Sequence, residues 1–211
     1  MKRQEVGFTL VEITIVVVVM GLLLGGMLKG RELILNAKIK NLEHEYKEVA
    51  AAIYSYQDRY RALPGDDRRA IERFQSSRLP PQTIITQGDG NGEIRGKFDD
   101  ASKYPDKTKE SRQAWAHLRL AGLVKGAPGS TDLPTHAFDG VTGVSSEKQQ
   151  VGRRNLLTIS DMFIGFTNIP NHVAIILESR ADDNHPHSGN IQTEEFNYTN
   201  AVLIHKMYFD L

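Results

Sequence analysis

The chain has 211 residues, with 26 Lys+Arg balanced by 26 Asp+Glu, and it contains no cysteine. The zero formal charge removes the simplest reason to expect nucleic acid as a partner, and the missing cysteines exclude disulfides, thiolate zinc sites and cysteine nucleophiles. The mean hydropathy is -0.38, yet one stretch near the start is strongly apolar, so the chain reads as an apolar stem joined to a polar head.

From Phe8 to Leu28 the sequence FTLVEITIVVVVMGLLLGGML carries a single ionisable group, Glu12. At about 1.5 Å per residue, a helix of this length covers the roughly 30 Å hydrocarbon core of a bilayer. A buried core helix is one alternative, but such helices are usually shorter and seldom carry a run like Ile15-Val16-Val17-Val18-Val19. A secretory signal peptide is another, with Met1-Lys2-Arg3 as its basic start. Against it stand the length of the run, the carboxylate inside it and the absence of a small-residue cleavage pair in Met27-Leu28-Lys29-Gly30. A permanent anchor over residues 8–28 is therefore expected. Lys29, Arg31, Lys38 and Lys40 on the far side match Lys2 and Arg3 on the near side, so flanking charge leaves the orientation open.

Glu12 is the anomaly in this stem. A carboxylate at membrane depth costs roughly 2.5–3.5 kcal/mol on insertion scales, and by default it marks a function and a partner. Within the stem no Lys or Arg lies three or four residues away. A free α-amino group on a neighbouring chain would pair with it. Such an amine exists at that depth only if the chain is cut just before the apolar run.

Lys2-Arg3-Gln4-Glu5-Val6-Gly7 followed by Phe8-Thr9-Leu10-Val11-Glu12 resembles the class III signal of type IV pilins and pseudopilins. The resemblance implies a leader, residues 1–7, removed after Gly7 by a prepilin peptidase that also N-methylates the new terminus, Phe8. It implies that Glu12 pairs with the terminal amine of an adjacent pilin-like subunit. It further implies a bacterial inner-membrane precursor, single-pass in the lipid with its head in the periplasm, which an assembly platform and its ATPase machinery build into a pilus or pseudopilus. The physical logic is coherent. Glycine lets the peptidase approach the backbone closely, and a subunit stacked out of register would bury an unpaired charge.

Beyond the membrane, Leu35, Ile39, Leu42, Tyr46, Val49, Ile53, Tyr56 and Tyr60 recur at alternating steps of four and three, which predicts an amphipathic continuation of the helix over residues 29–62. Leu63-Pro64-Gly65 ends it. A two-stranded coiled coil would read the same stripe as a seam. The stripe is preferred as the face on which the chain's own head packs, because the head needs a place to attach.

Residues 63–211 suffice for one compact domain. Asp66 is expected to cap a short helix through Ala70, Ile71 and Phe74 that stops near Ser76-Ser77. A second helix is expected from about Lys107 to Val124, with Ala114, Trp115, Leu118 and Ala121 on one face. Leu156–Phe166, Val173–Glu178 and Ala201–Phe209 read as strands. The whole predicts an α+β fold: a long N-terminal transmembrane and amphipathic α-helix spine packed against a C-terminal antiparallel β-sheet head. Leu63-Pro64-Gly65-Asp66, Gly88-Asp89-Gly90-Asn91-Gly92, Ala114-Trp115-Ala116-His117-Leu118 and Asp182-Asp183 with Pro186 and Gly189 resemble, in this order, a large set of bacterial pilin-like proteins. Asn184 replaces the usual glycine after the acidic pair.

Two places invite calcium. In a loop begun at Gln87, Asp89 falls at the third ligand position, Asn91 at the fifth and Gly92 at the sixth, but Gln87 and Phe98 stand where the strongest ligands belong. A plain glycine-rich turn is the preferred reading there. Asp182 and Asp183, near His185 and His187, form the second candidate by analogy with pseudopilins, against a solvated loop of local Asx turns. Glu110, His117 and Asp132 make no catalytic spacing, and Ser160-Asp161 lacks a nucleophile elbow. No enzymatic activity is expected. The expected function is a structural pilin-like subunit, a minor one by its large head and lack of a C-terminal cysteine pair. The alternatives are a type II secretion pseudopilin acting in protein export, and a membrane-tethered binding domain that never polymerises.

Overall fold

The structure is a computed structural model that describes residues 9–74, 83–100, 106–147, 150–151, 155–156, 159, 162–183, 185–193 and 204–211. In chain order the elements are α1 (Leu10–Tyr60), α2 (Ala70–Phe74), α3 (Glu110–Leu120), β1 (Thr142–Ser145), β2 (Gln150–Val151), β3 (Asn155–Leu156), β4 (Phe163–Pro170), α4 (Asn171–Ala181), β5 (Ile191–Thr193) and β6 (Ile204–Asp210). A long apolar N-terminal helix and a C-terminal antiparallel sheet make the class α+β. The chain divides into two compact units, Met1–Lys40 and Asn41–Leu211.

In the first unit, the stretch of α1 from Ile15 to Leu28 is apolar around its whole circumference, with Val17, Val18, Leu22 and Leu24 all more than 60% exposed. Among the described residues it is the one helix long and apolar enough to cross a membrane, by length and composition. A helix that is apolar all round and covered by nothing is stable only in an apolar surrounding. Thr14, a polar residue in its second turn, returns its hydroxyl to the Val11 carbonyl at 2.9 Å.

In the second unit the later turns of α1 carry the stripe inward. Leu42, Val49, Ala52, Ile53 and Tyr56 are buried. The Tyr46 ring lies 5.1 Å from Phe209 of β6, and its hydroxyl donates to the Asp210 carbonyl at 2.8 Å. The stripe thus meets β6 at Tyr46, while Tyr56 lies beside Phe74 and His117. At the end of the helix, Tyr56 donates its hydroxyl to the buried Asp67 carboxylate at 2.9 Å, and Arg73 pairs with the same oxygen. Asp67, rather than Asp66, also shapes the entry to α2: its other oxygen accepts the Arg69 N–H at 2.9 Å. The predicted stop near Ser76-Ser77 lies outside the described residues. Tyr56→Phe removes a hydrogen bond to a buried charge, so it is expected to lower stability by about 1–2 kcal/mol, measured by urea denaturation of the detergent-solubilised chain.

The main sheet has the order β1-β4-β6-β5, and every pair is antiparallel. Phe98, Phe163 and Tyr208 form its aromatic core, with ring centroids 5.3 to 5.9 Å apart and each pair edge-on. Gly143 of β1 lies against Phe98, and a Cβ there would stand 2.0 Å from the Phe98 carbonyl oxygen. A loop segment meets each outer strand of this sheet. Ser146 donates its N–H to the Ile94 carbonyl at 2.8 Å beside β1, and Thr193 of β5 donates to the Pro186 carbonyl at 2.8 Å.

Three expected elements differ. Val173–Glu178 is not a strand but the middle of α4: Val173, Ala174, Leu177 and Glu178 are buried while His172 and Ile175 are exposed, which is a helical period. A short apolar run fits either period, and here Ala174, Leu177 and Glu178 are good helix formers. The strand expected over Leu156–Phe166 runs instead from Phe163 to Pro170. It absorbs Asn168-Ile169-Pro170 through a register shift between Phe166 and Ile169. Helix α3 is shorter than expected and ends before Gly122, whose φ is +69.

Candidate functional site

Helix α3 organises the irregular half of the second unit. Ser111 to Arg119 are all buried, and the polar ones among them bind the backbone of the surrounding loops. Gln113 accepts the Thr86 N–H at 3.0 Å and donates to the carbonyls of Ile84 and Lys107 at 3.0 and 2.7 Å. Arg112 donates to the carbonyls of Thr131 and Asp100, and Arg119 to those of Lys125 and Ser130. His117 Nδ1 accepts the Gly65 N–H at 2.9 Å, while Nε2 lies 3.1 Å from the Thr86 carbonyl. That geometry fixes the neutral tautomer with the proton on Nε2, and burial holds the imidazole pKa down at about 4. Loops without ladders must find partners for their backbone groups, and here side chains of one buried helix supply them.

The glycine-rich loop is built on Asp66. Its carboxylate is buried and accepts the N–H groups of Gly90, Asn91 and Gly92, the last at 2.7 Å. Three N–H groups converging on one anion form a nest, filled here by the chain's own side chain. Asp89 Oδ1 accepts the Asn91 N–H at 3.1 Å, Asp89 Oδ2 accepts from Arg95 at 3.0 Å, and Asn91 Oδ1 accepts the Glu93 N–H at 2.7 Å. The loop therefore brings Asp89 to Asp66 and Glu110, and one carboxylate oxygen from each of the three lies within 4.8 Å of the others. It does not bring Asp89 to Asp182 or Asp183. Burial pushes the Glu110 carboxyl up, and the neighbouring Asp66 and Asp89 charges add to the rise. The spacing of Gln87 to Phe98 concealed this grouping, because two of its three members lie outside that stretch. Asp66→Asn replaces a charged acceptor by an amide that faces three N–H donors. It is expected to cost about 2 kcal/mol, read from the thermal midpoint of the full chain in detergent.

The acidic pair lies just beyond α4. Asp182 Oδ2 accepts the Ile191 N–H at 2.6 Å, and Asp183 accepts the His185 N–H at 2.9 Å and the Ser188 hydroxyl at 2.6 Å. These last bonds hold the Asp183 carboxyl below its ordinary range. Glu178, Asp182 and Asp183 also bring carboxylate oxygens within 4.8 Å of one another. The two carboxylate groups are where a divalent cation would find three charged oxygen ligands. Asn184 lies outside the described residues.

At the N-terminal end, Gly7 and Phe8 lie outside the described residues. Glu12 is in the first turn of α1, and Thr9 precedes the helix. The Thr9 N–H and hydroxyl both donate to Glu12 Oε2 at 2.8 Å, and Thr9 Oγ1 accepts the Glu12 N–H at 3.3 Å. Sequence reasoning looked for a cation near Glu12 and passed over this partner, although Thr-x-x-Glu is a capping-box signature.

Ser160 and Asp161 lie outside the described residues, whereas Glu110 and Asp132 have local partners. Glu110 accepts the Arg95 N–H at 2.8 Å, and Asp132 accepts the Ser130 hydroxyl at 2.8 Å. Compared with models of protein families, with curated proteins and with solved structures, the chain matches none.

Proposed function

We propose that this chain is a pilin-like structural subunit, trimmed after Gly7, methylated at Phe8 and polymerised through the apolar part of α1 into a pilus or pseudopilus. The observation that carries the reading is the Gly7-Phe8-Thr9-Leu10-Val11-Glu12 signal at the start of a long apolar helix with one carboxylate in its first turn. The exposed apolar circumference of α1 supports it, since lipid and neighbouring α1 helices are both surroundings in which such a helix is stable. On this reading the precursor sits in the inner membrane with its second unit in the periplasm. Prepilin peptidase, an assembly platform with its ATPase, and other pilin-like subunits are its partners. The size of the second unit favours a minor subunit.

Mass spectrometry of the mature terminus tests this in cells with and without the prepilin peptidase. A methylated Phe8 that depends on the peptidase is expected. A purified chain that still begins at Met1 overturns the filament reading in favour of a simple tether. The carboxylates of Glu178, Asp182 and Asp183 favour a second reading, a type II secretion pseudopilin whose folding depends on calcium. That reading predicts a melting temperature of the solubilised chain that rises with calcium and falls with chelator. An unchanged melting temperature speaks against it.

A further inference from the structure

Asn91 stands directly before Gly92, the one Asn-Gly pair in the chain, in a loop that also holds Asp89-Gly90. A glycine has no Cβ to keep its nitrogen away from the preceding side chain. In an open chain that nitrogen can attack the Asn91 amide carbon, close a five-membered imide and expel ammonia. Both residues are exposed, so solvent water has access to the junction. The folded loop works against the reaction.

Attack requires the Gly92 nitrogen to give up its proton and to meet the Asn91 Cγ. The buried Asp66 carboxylate opposes the first step, because it accepts the Gly92 N–H at 2.7 Å. A negative charge so close disfavours a second one on the nitrogen. The same carboxylate accepts the Gly90 N–H, so the nitrogens after Asn91 and after Asp89 are held by one anion. The Asn91 side chain is held too: Nδ2 donates to Asp89 Oδ2 at 3.1 Å, and Oδ1 accepts the Glu93 N–H at 2.7 Å.

We infer that Asn91 is a latent site of spontaneous deamidation and that Asp66 keeps it closed. When the loop opens, the Gly92 nitrogen loses its proton and bonds to the Asn91 Cγ. The Cγ–Nδ2 bond breaks, and the displaced nitrogen takes up a proton and leaves as ammonia. Solvent water then cleaves the imide at either carbonyl, which leaves aspartate or isoaspartate at position 91. The product brings a further carboxylate to a loop that already gathers Asp66, Asp89 and Glu110, and isoaspartate lengthens the backbone by a methylene. Like charge and changed length both disfavour reclosing, so the conversion runs one way. None of this depends on whether the chain polymerises.

The test incubates the full chain in detergent at mildly alkaline pH. Mass spectrometry follows the fragment carrying residue 91, and enzymatic methylation detects isoaspartate. The parent is expected to convert at least about tenfold more slowly than a synthetic peptide spanning residues 86–96, and Asp66→Asn about tenfold faster than the parent, the equivalent of one hydrogen bond to a charged group. Tyr56→Phe is the control for stability: it weakens the fold yet leaves the Asp66 carboxylate on Gly92, and it is expected to convert like the parent. A parent as fast as the peptide overturns the proposal. So does Asp66→Asn at the parental rate, or Tyr56→Phe accelerated as much as Asp66→Asn. A second measurement needs no variant: the Gly92 amide of the parent is expected to exchange hydrogen at least about tenfold more slowly than in the peptide. Equal exchange rates overturn Asp66 as the group that closes the site.

Discussion

Replacing Glu12 by leucine is expected to leave membrane insertion intact and to cut incorporation into filaments by at least about tenfold. On the filament reading proposed above, the two effects have opposite signs because the carboxylate is a burden in lipid and an asset in a shaft. On insertion scales its removal relieves roughly 2.5–3.5 kcal/mol, so the variant reaches the membrane at least as well as the parent. On that filament reading, the same change would leave the partner amine buried without its counter-charge. Breaking one half of a buried pair typically costs about 3–5 kcal/mol, and tenfold allows for the many apolar contacts that remain. The capping of α1 is lost as well, since Thr9 then has no carboxylate to receive its two donors. Membrane fractionation and quantification of sheared filaments measure the two arms. If Glu12→Leu subunits enter filaments as well as the parent, charge registration is wrong.

His117→Phe is expected to destabilise the second unit by about 3–4 kcal/mol and to alter its response to acid. The histidine is fully buried and stacks beside Tyr56, with ring centroids 6.3 Å apart and planes 14° from parallel. Phenylalanine fills similar space but strands the Gly65 N–H and the Thr86 carbonyl, which His117 now serves. Gly65 leaves little room to adjust: its φ is +90, and a Cβ would lie 2.4 Å from the Glu110 carbonyl oxygen. The acid response follows from burial. The folded pKa is about 4 against an ordinary histidine value of 6.5, so below pH 6.5 the unfolded chain takes up a proton that the folded one refuses. The contribution is fully present above 6.5 and is lost as the pH falls through the folded value, by roughly 3 kcal/mol in total. Urea denaturation between pH 7 and pH 4 should show this slope in the parent and a flatter one in His117→Phe. Parallel slopes would mean that another group carries the acid response.

The apolar stem was legible because a single chemical feature repeats along it without interruption, and residues from Ile13 to Leu28 need nothing from elsewhere in the chain to declare themselves. The stripe from Leu42 to Tyr56 was legible for a related reason: one face of a helix repeats at a fixed step, and the structure buries that face. Glu12 was conspicuous as the one ionisable group in the stem. Its local partner was written three residues earlier and was missed only because an acid was matched against bases rather than against hydroxyl and amide donors.

Val173 to Leu177 marks where one-dimensional reading fails. Five apolar residues satisfy a strand and a buried helix equally, and what decides is the shape of the space beneath β4 and β6. The acidic groups fail it more thoroughly. Asp66, Asp89 and Glu110 come from a turn, a loop and a helix start, and they meet because Asp66 seats the N–H groups of Gly90, Asn91 and Gly92. Periodicity and composition along the chain specify which segments are apolar, helical or turning, since those properties arise from near neighbours. Which carboxylates share a neighbourhood, and which imidazole is kept neutral, depends on packing between distant segments, where burial and hydrogen-bond geometry act across tens of residues.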